Sequence, residues 1–186
     1  MSDAVLGCDS GKESPVEIDL LRPEDWAELR EIRMRALLDA PDAFIVPPSG
    51  VATWSQHEWL STFESGVWAV ARAAGRMVGL ARSSRETQAP RERHIEAVWV
   101  EPGHRRTGVA SRLVRALVDL ELRSGAAEIL LWIVAGNEAA RVFYERLGFR
   151  PTGERQPIPG DESRLEERLR FVAPPKDVAS QDLSPS

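Results

Sequence analysis

Short runs of apolar or alternating residues are separated by segments whose apolar positions recur every three to four residues. The first run, residues 16–21, predicts a strand, and a helix follows with Glu24 and Asp25 at the end where the helix dipole favours negative charge. Residues 67–73 and 76–83 flank a small-residue turn and predict a β-hairpin. This alternation of strands and helices predicts an α/β or α+β fold in which helices cover a sheet.

The two ends of the chain differ in composition from its middle. Residues 1–14 and 173–186 are rich in Pro, Ser, Asp and Gly and poor in large apolar side chains, so we expect both to be disordered tails. Residues 15–172 suffice for one domain with one core, since 42% of the 186 residues are hydrophobic. The sequence therefore predicts a single domain.

Charge and hydropathy exclude several classes of partner. The formal net charge is −5 at pH 7, which argues against broad binding to nucleic acid or to an anionic membrane. No apolar run approaches the ~20 residues that cross a bilayer, and the first residues lack the pattern of a signal peptide. We therefore expect a soluble, cytoplasmic protein with no membrane partner and no nucleic acid partner.

Cysteine and histidine are scarce and scattered. Cys8 is the only cysteine and lies in the predicted N-terminal tail, where a reactive thiolate would lack a structured pocket. The three histidines, His57, His94 and His104, lack the spacing of metal ligands. The sequence thus predicts no metal site.

One segment combines the features of an anion-binding site. A β-branched and aromatic strand ends near Val100, and a turn containing Gly103 follows. Beyond Arg105 and Arg106, the apolar spacing predicts a helix. The first turn of a helix carries amides without partners and a partial positive charge, so it can bind phosphate. A plain amphipathic helix with a basic start is the alternative, but arginines there oppose the dipole, which favours a bound anion.

Two familiar phosphate loops do not fit this segment. A dinucleotide-binding loop requires GxGxxG, and a triphosphate loop requires GxxxxGK. In residues 103–111, GHRRTGVAS, only the outer two glycines are present and Val109 stands at the lysine position. Both nucleotide-binding alternatives therefore lack a group that they need.

Two motifs in the second half of the chain carry a family resemblance. Residues 105–110, Arg-Arg-Thr-Gly-Val-Ala, follow a strand ending Val-Glu-Pro, and NEAARVFYERLGFRPTGE follows the strand EILLWIV. In this order and separation they resemble the GNAT-type N-acetyltransferase superfamily, over about residues 16–172. The resemblance implies the GNAT fold, a central mixed sheet of about six to seven strands splayed between two parallel strands, with helices on both faces. It also implies acetyl-CoA as the co-substrate.

The resemblance assigns cofactor contacts to these motifs. The strand backbone would pair with the pantetheine arm, the turn and first helical residues would hold the pyrophosphate, and the second motif would contact the arm and the sulfur. The positions in this sequence are Val98, Trp99, Val100, Arg105, Arg106, Thr107, Gly108, Val109, Ala110, Ser111, Asn137 and Tyr144.

Asn137 and Tyr144 are the only asparagine and the only tyrosine in the chain, and they lie seven positions apart on one predicted helix. Seven residues make about two helical turns, so both side chains point the same way. In the structural alternative, Asn137 caps the helix and Tyr144 is a packing aromatic. The cap is compatible with a functional role.

Acetyl transfer to an amine requires proton transfers that side chains can perform. The amine must lose a proton, the oxyanion must be stabilised, and the departing thiolate must be protonated or stabilised. Tyr144 suits the last task, because a phenol with an ordinary pKa near 10 is protonated at neutral pH. A backbone amide near Val98 suits the second.

For the base we expect Glu96, with His94 as an auxiliary, because strand alternation puts both on the side of Val98. Glu96 could instead pair with Arg91 or Arg93 at the end of the sheet. A chain of water molecules could also replace a dedicated base.

The resemblance implies a primary amine as the acceptor, and we expect a small molecule rather than a protein N-terminus. Phe44, Trp54 and Trp59 could form an acceptor wall, with a buried pair of core tryptophans as the alternative. A sensor or interaction module that binds acetyl-CoA without turnover is the alternative function. The sequence does not decide between a monomer and a homodimer.

Overall fold

The computed structural model describes residues 15–41, 48–85 and 88–173. The candidate acceptor residue Phe44 and both predicted tails, apart from residue 173, lie outside these ranges. Within the described ranges, seven strands form one mixed sheet with five α-helices packed on it.

The strands share one sheet in which one pair of neighbouring strands is parallel and the other pairs are antiparallel. The bounds are β1 (Glu17–Leu20), β2 (Gly66–Ala73), β3 (Arg76–Arg85), β4 (Glu92–Val100), β5 (Glu128–Val134), β6 (Phe149–Ile158) and β7 (Asp161–Phe171). Across the sheet their order is β1-β2-β3-β4-β5-β7-β6, and among the described strands only β4 and β5 are parallel neighbours.

Helices cover both faces of the sheet, each over its own core. One core packs under the first three helices and includes Leu29, Ile32 and Trp59, all fully buried. The other packs under the last two and includes Leu113 and Leu117. The bounds are α1 (Trp26–Asp39), α2 (Pro48–Ala52), α3 (Gln56–Glu64), α4 (Val109–Arg123) and α5 (Glu138–Arg146). The predicted fold class, with helices on both faces, is confirmed.

The two parallel strands separate after a short paired stretch. Residues 92–94 of β4 pair with residues 128–130 of β5. Beyond them, β4 continues to Val100 and β5 to Val134 with no further pairs between the two described strands. The sheet is therefore splayed between its parallel strands, as the family resemblance implies.

A β-bulge at Ala97 changes which residues of β4 share a face. Two steps along β3 oppose three steps along β4 here, and Ala97 has a φ of 56°. Val98 consequently packs on the α4 side of the sheet, whereas Glu96 pairs with Arg82 on the α1 and α3 side. The expectation that alternation puts Glu96 and His94 on the side of Val98 is therefore wrong, because the extra residue reverses the alternation.

Candidate active site

The turn between β4 and α4 presents backbone amides. Arg106 and Gly108 have positive φ angles of 63° and 87°, and no side chain of the described residues caps the first amides of α4. The amide of Arg112 donates to the carbonyl of Gly108 (3.1 Å), so residues 109–111 precede the first helical hydrogen bond. These amides, the helix dipole and the turn together form a site suited to a phosphate.

A cleft of about 620 Å³ lies against this turn and brings together most of the predicted cofactor residues. Both the end of β4 and the start of α4 contribute to its walls. The predicted residues that line it are Val98, Trp99, Val100, Arg105, Arg106, Gly108, Ala110 and Ser111. A Cβ atom at Gly108 would meet no atom of the described residues within 4 Å, so among them the glycine leaves open space beside the first amides of the helix.

The other four predicted cofactor residues, Thr107, Val109, Asn137 and Tyr144, do not line this cleft. Thr107 donates from Oγ1 to the carbonyl of His104 (2.6 Å), which stabilises the turn. Val109 is a core residue, 2% exposed. Asn137 caps α5, because its Oδ1 accepts a hydrogen bond from the amide of Ala140 (3.0 Å). Asn137 therefore has the helix-capping role that the structural alternative expects.

Tyr144 lies in an aromatic cluster beside the cleft rather than in its wall. Its ring makes edge-to-face contacts with Phe143 and Phe149, at centroid distances of 4.9 and 5.7 Å, and Phe143 is the member that lines the cleft. Tyr144 keeps part of its surface accessible, yet desolvation raises its pKa above the ordinary value of 10.0. The phenol therefore holds its proton at neutral pH.

The Arg105 side chain makes contacts within the protein. Its Nε donates to the carbonyl of Val100 (2.9 Å), and its Nη2 forms an ion pair with Asp39 at the end of α1. The indole of Trp99 donates to the same Asp39 oxygen (2.8 Å). Asp39 was not predicted from the sequence, because its partners lie far along the chain and no local signal marks it.

Two arginines contribute positive charge to the cleft. Arg106 and Arg146 both line it, and neither forms an ion pair with another residue in the described ranges. The lining also contains four residues that were not predicted from the sequence, Arg146, Phe143, His104 and Ala40. For Arg146 a signal existed, since it is a basic residue in the last turn of the helix in the second motif.

Glu96 is held by an arginine on the adjacent strand. Arg82 Nη1 lies 2.6 Å from Glu96 Oε1, and the glutamate side chain stays 44% exposed. The ion-pair alternative is thus present, but with Arg82 in place of the expected Arg91 or Arg93. Desolvation lowers the pKa of the neighbouring Arg33 to about 10, although the Glu96 carboxylate opposes the shift.

The two tryptophans of the predicted acceptor wall pack against each other. Trp54 and Trp59 meet edge to face with their centroids 5.0 Å apart. Trp59 is fully buried, so its side chain is part of the core and is not open to an acceptor. Trp54 is partly exposed. Trp59 is therefore a core residue, as the alternative interpretation of the two tryptophans expects.

The described residues contain neither a metal-binding cluster nor a helix that could span a membrane. In residues 15–41, 48–85 and 88–173, no group of three or more His, Cys, Asp and Glu side chains could hold a metal ion. The helices of the same residues are all too short or too polar to span a bilayer.

Sequence comparison identifies the family. Residues 26–149 match the model of the Acetyltransferase (GNAT) family. The chain therefore belongs to the GNAT acetyltransferase family, and its splayed mixed sheet is the fold that the family resemblance implies.

Three relatives illustrate the range of similarity. N-alpha-acetyltransferase 30 of Schizosaccharomyces pombe is 48% identical over 56 residues, 30% of this chain, and the match spans 37% of that relative's length. A Mycobacterium tuberculosis protein named as a probable N-acetyltransferase is 25% identical over 66% of this chain and 72% of its own. The yncA protein of Salmonella typhimurium, solved with its cofactor acetyl-CoA, shares the fold with a TM-score of 0.68 at 21% identity, covering 87% of this chain and 98% of that one.

Proposed function

We propose that this chain transfers the acetyl group of acetyl-CoA to a primary amine of a small molecule. The observation that carries the proposal is the cleft in which the first amides of α4 meet the edge of β4 that β5 leaves unpaired. CoA has a pyrophosphate and an arm with amide groups. The cleft offers a helix start to the first and a strand edge to the second.

The residues of the cleft fit the parts of CoA in chemical type. We assign the pyrophosphate to the amides of residues 109–111 and to the Arg106 guanidinium, and the pantetheine arm to the backbone of residues 98–100. Arg146 supplies a second positive charge to the same cleft. Bound acetyl-CoA supplies the acetyl group as a thioester.

The transfer removes one proton from the amine nitrogen and delivers one to the sulfur. We assign the first task to Glu96, with His94 as its auxiliary, and the second to Tyr144. The ion pair with Arg82 fixes the Glu96 carboxylate, and its exposure leaves it accessible to an acceptor. Burial raises the pKa of Tyr144, so the phenol is protonated at neutral pH and carries a proton for the departing sulfur.

The acceptor approaches from the α1 and α3 side of β4 in this proposal, because Glu96 lies on that face. Trp54 is one of the partly exposed aromatic residues on that side, and we assign to it a contact with the acceptor. Peptide N-termini belong in any acceptor panel as well, since the Schizosaccharomyces pombe relative is named an N-alpha-acetyltransferase.

A thiol-release screen tests the proposal. The full chain is mixed with acetyl-CoA and a panel of small amines, amino acids, aminoglycosides and short peptides, and CoA binding is measured in parallel by calorimetry. We expect tight CoA binding and amine-dependent release of thiol with at least one small amine. Binding without release for every amine would favour the sensor or interaction module, and absence of CoA binding would refute the cleft assignment.

A further inference from the structure

The side chain of Asp39 joins three elements at the cofactor cleft. Asp39 is the last residue of α1, and its Oδ2 accepts a hydrogen bond from the Trp99 indole (2.8 Å) and an ion-pair contact from Arg105 Nη2. Arg105 also donates to the carbonyl of Val100 (2.9 Å). One carboxylate oxygen therefore connects the end of α1, the end of β4 and the start of the turn, across 66 positions of sequence.

We propose that Asp39 is a positioning residue for CoA, which acts through Arg105 to hold the turn of residues 105–108 in its binding shape. This inference rests on the proposed function, since it concerns how the same cleft binds CoA. Asp39 is not among the residues that line the cleft, whereas the next residue, Ala40, is. Because a carboxylate would repel a phosphate, Asp39 is suited to holding Arg105 and not to contacting CoA itself.

The backbone of the turn explains why such support matters. Arg106 has a φ of 63°, a left-handed conformation that is unfavourable for a residue with a Cβ atom. Such conformations persist where surrounding contacts fix them. Arg105 precedes Arg106 directly, and its guanidinium is held at two atoms by Asp39 and by the carbonyl of Val100. Loss of one of these contacts allows the backbone of the turn to relax, so that its amides no longer point toward the same phosphate.

The same contacts argue against Arg105 as a direct ligand of the pyrophosphate. Its Nε and Nη2 atoms are engaged by the protein, while Arg106 lines the cleft without an ion pair to any residue of the described ranges. If Arg105 bound phosphate directly, removing Asp39 would release it for that task. Binding of CoA would then become tighter, which is the opposite of the effect expected for a positioning residue.

Calorimetric titration of the full chain with CoA tests this role. We expect Asp39→Ala to weaken CoA binding about tenfold. Asp39→Asn should retain most of the affinity, because its amide oxygen can still accept both contacts. The double variant of Asp39→Ala and Arg105→Ala should bind no more weakly than Arg105→Ala alone, since the first residue acts through the second.

A matched control removes a different carboxylate from the same helix. Glu28 of α1 forms an ion pair with Arg72 (2.7 Å), and neither residue lines the cleft. Glu28→Ala should leave CoA affinity unchanged. In hydrogen exchange of the unliganded chain, the amides of residues 105–111 should exchange faster in Asp39→Ala but not in Glu28→Ala.

Two outcomes separate this inference from the proposed function. If the parent chain binds CoA and Asp39→Ala binds it equally well or more tightly, the positioning role is wrong while the proposed function stands. If the parent chain does not bind CoA, the proposed function is wrong and the role of Asp39 in it falls as well.

Discussion

Variants of Gly108 test two properties of the turn separately, its backbone conformation and its contact with a ligand. Gly108 has a φ of 87°, and in the part of the chain that the structure describes no atom lies within 4 Å of a Cβ atom added there. Alanine at this position therefore introduces backbone strain but no clash within the protein. Gly125, just beyond the other end of α4, has a φ of 82° and equally open surroundings, so Gly125→Ala is a matched control outside the cleft.

The two alanine variants should lose the same stability. The left-handed conformation costs a residue with a Cβ atom about 1 to 2 kcal/mol, and the smaller entropy of the unfolded chain offsets about 0.4 to 1 kcal/mol of it. A net loss of about 1 kcal/mol corresponds to a fall in Tm of about 2 to 4 °C for a chain of this size. Both variants should show this fall in a thermal unfolding experiment.

CoA affinity should distinguish the two variants. A side chain at Gly108 keeps the pyrophosphate away from amides that form charge-assisted hydrogen bonds, each worth about 1.5 to 3 kcal/mol. Gly108→Ala should thus weaken CoA binding about ten- to a hundredfold, and Gly108→Leu should abolish it. Calorimetry with CoA measures this directly. Parent-like affinity in Gly108→Leu, or an equal loss in Gly125→Ala, would show that the turn does not cradle the pyrophosphate.

Three further variants test the chemistry and the core. Tyr144→Phe should lower kcat about a hundredfold with little change in CoA affinity, and unchanged turnover would remove the phenol from the reaction. Because burial raises the pKa of Tyr144 above 10.0, its ionisation should cause no fall in rate at any pH below about 10 in a pH–rate profile. Glu96→Gln should lower kcat about a hundredfold, whereas a parent-like rate would favour a base made of water. Glu121→Ala leaves the buried Arg93 without its 2.7 Å ion-pair partner and should lower the free energy of unfolding by about 3 to 5 kcal/mol in urea titration; a loss below 1 kcal/mol would show that solvent reaches the site.

Local patterns predicted the elements that depend on neighbouring residues. The hairpin of β2 and β3 turns at Ala74 and Gly75, as their small side chains indicate, and both have positive φ angles. The phosphate turn and α4 were predictable from the glycines, the arginines and the apolar spacing of one continuous segment. Most of the predicted turn residues then line one cleft.

Features that depend on distant contacts were not predictable in the same way. The bulge at Ala97 arises from the register between two strands, and it moves Glu96 to the face opposite Val98 without any change in the sequence pattern. Arg82, the partner of Glu96, lies on the neighbouring strand rather than near it in sequence. For the same reason, the link between Asp39 and Arg105 has no local signature. The catalytic roles of Glu96, His94 and Tyr144 stay predictions.

The early parting of β4 and β5 also makes the sheet mechanically uneven. Its two halves, β1 to β4 and β5 to β7, are joined at the seam by three residue pairs, with Arg168 reaching across from β7 to Glu92 (3.1 Å). A long ligand bound between the separated parts of β4 and β5 would add contacts that connect the two halves of the sheet. Bound ligand should therefore stabilise the junction of β4 and β5. This stabilisation should grow with ligand concentration by mass action.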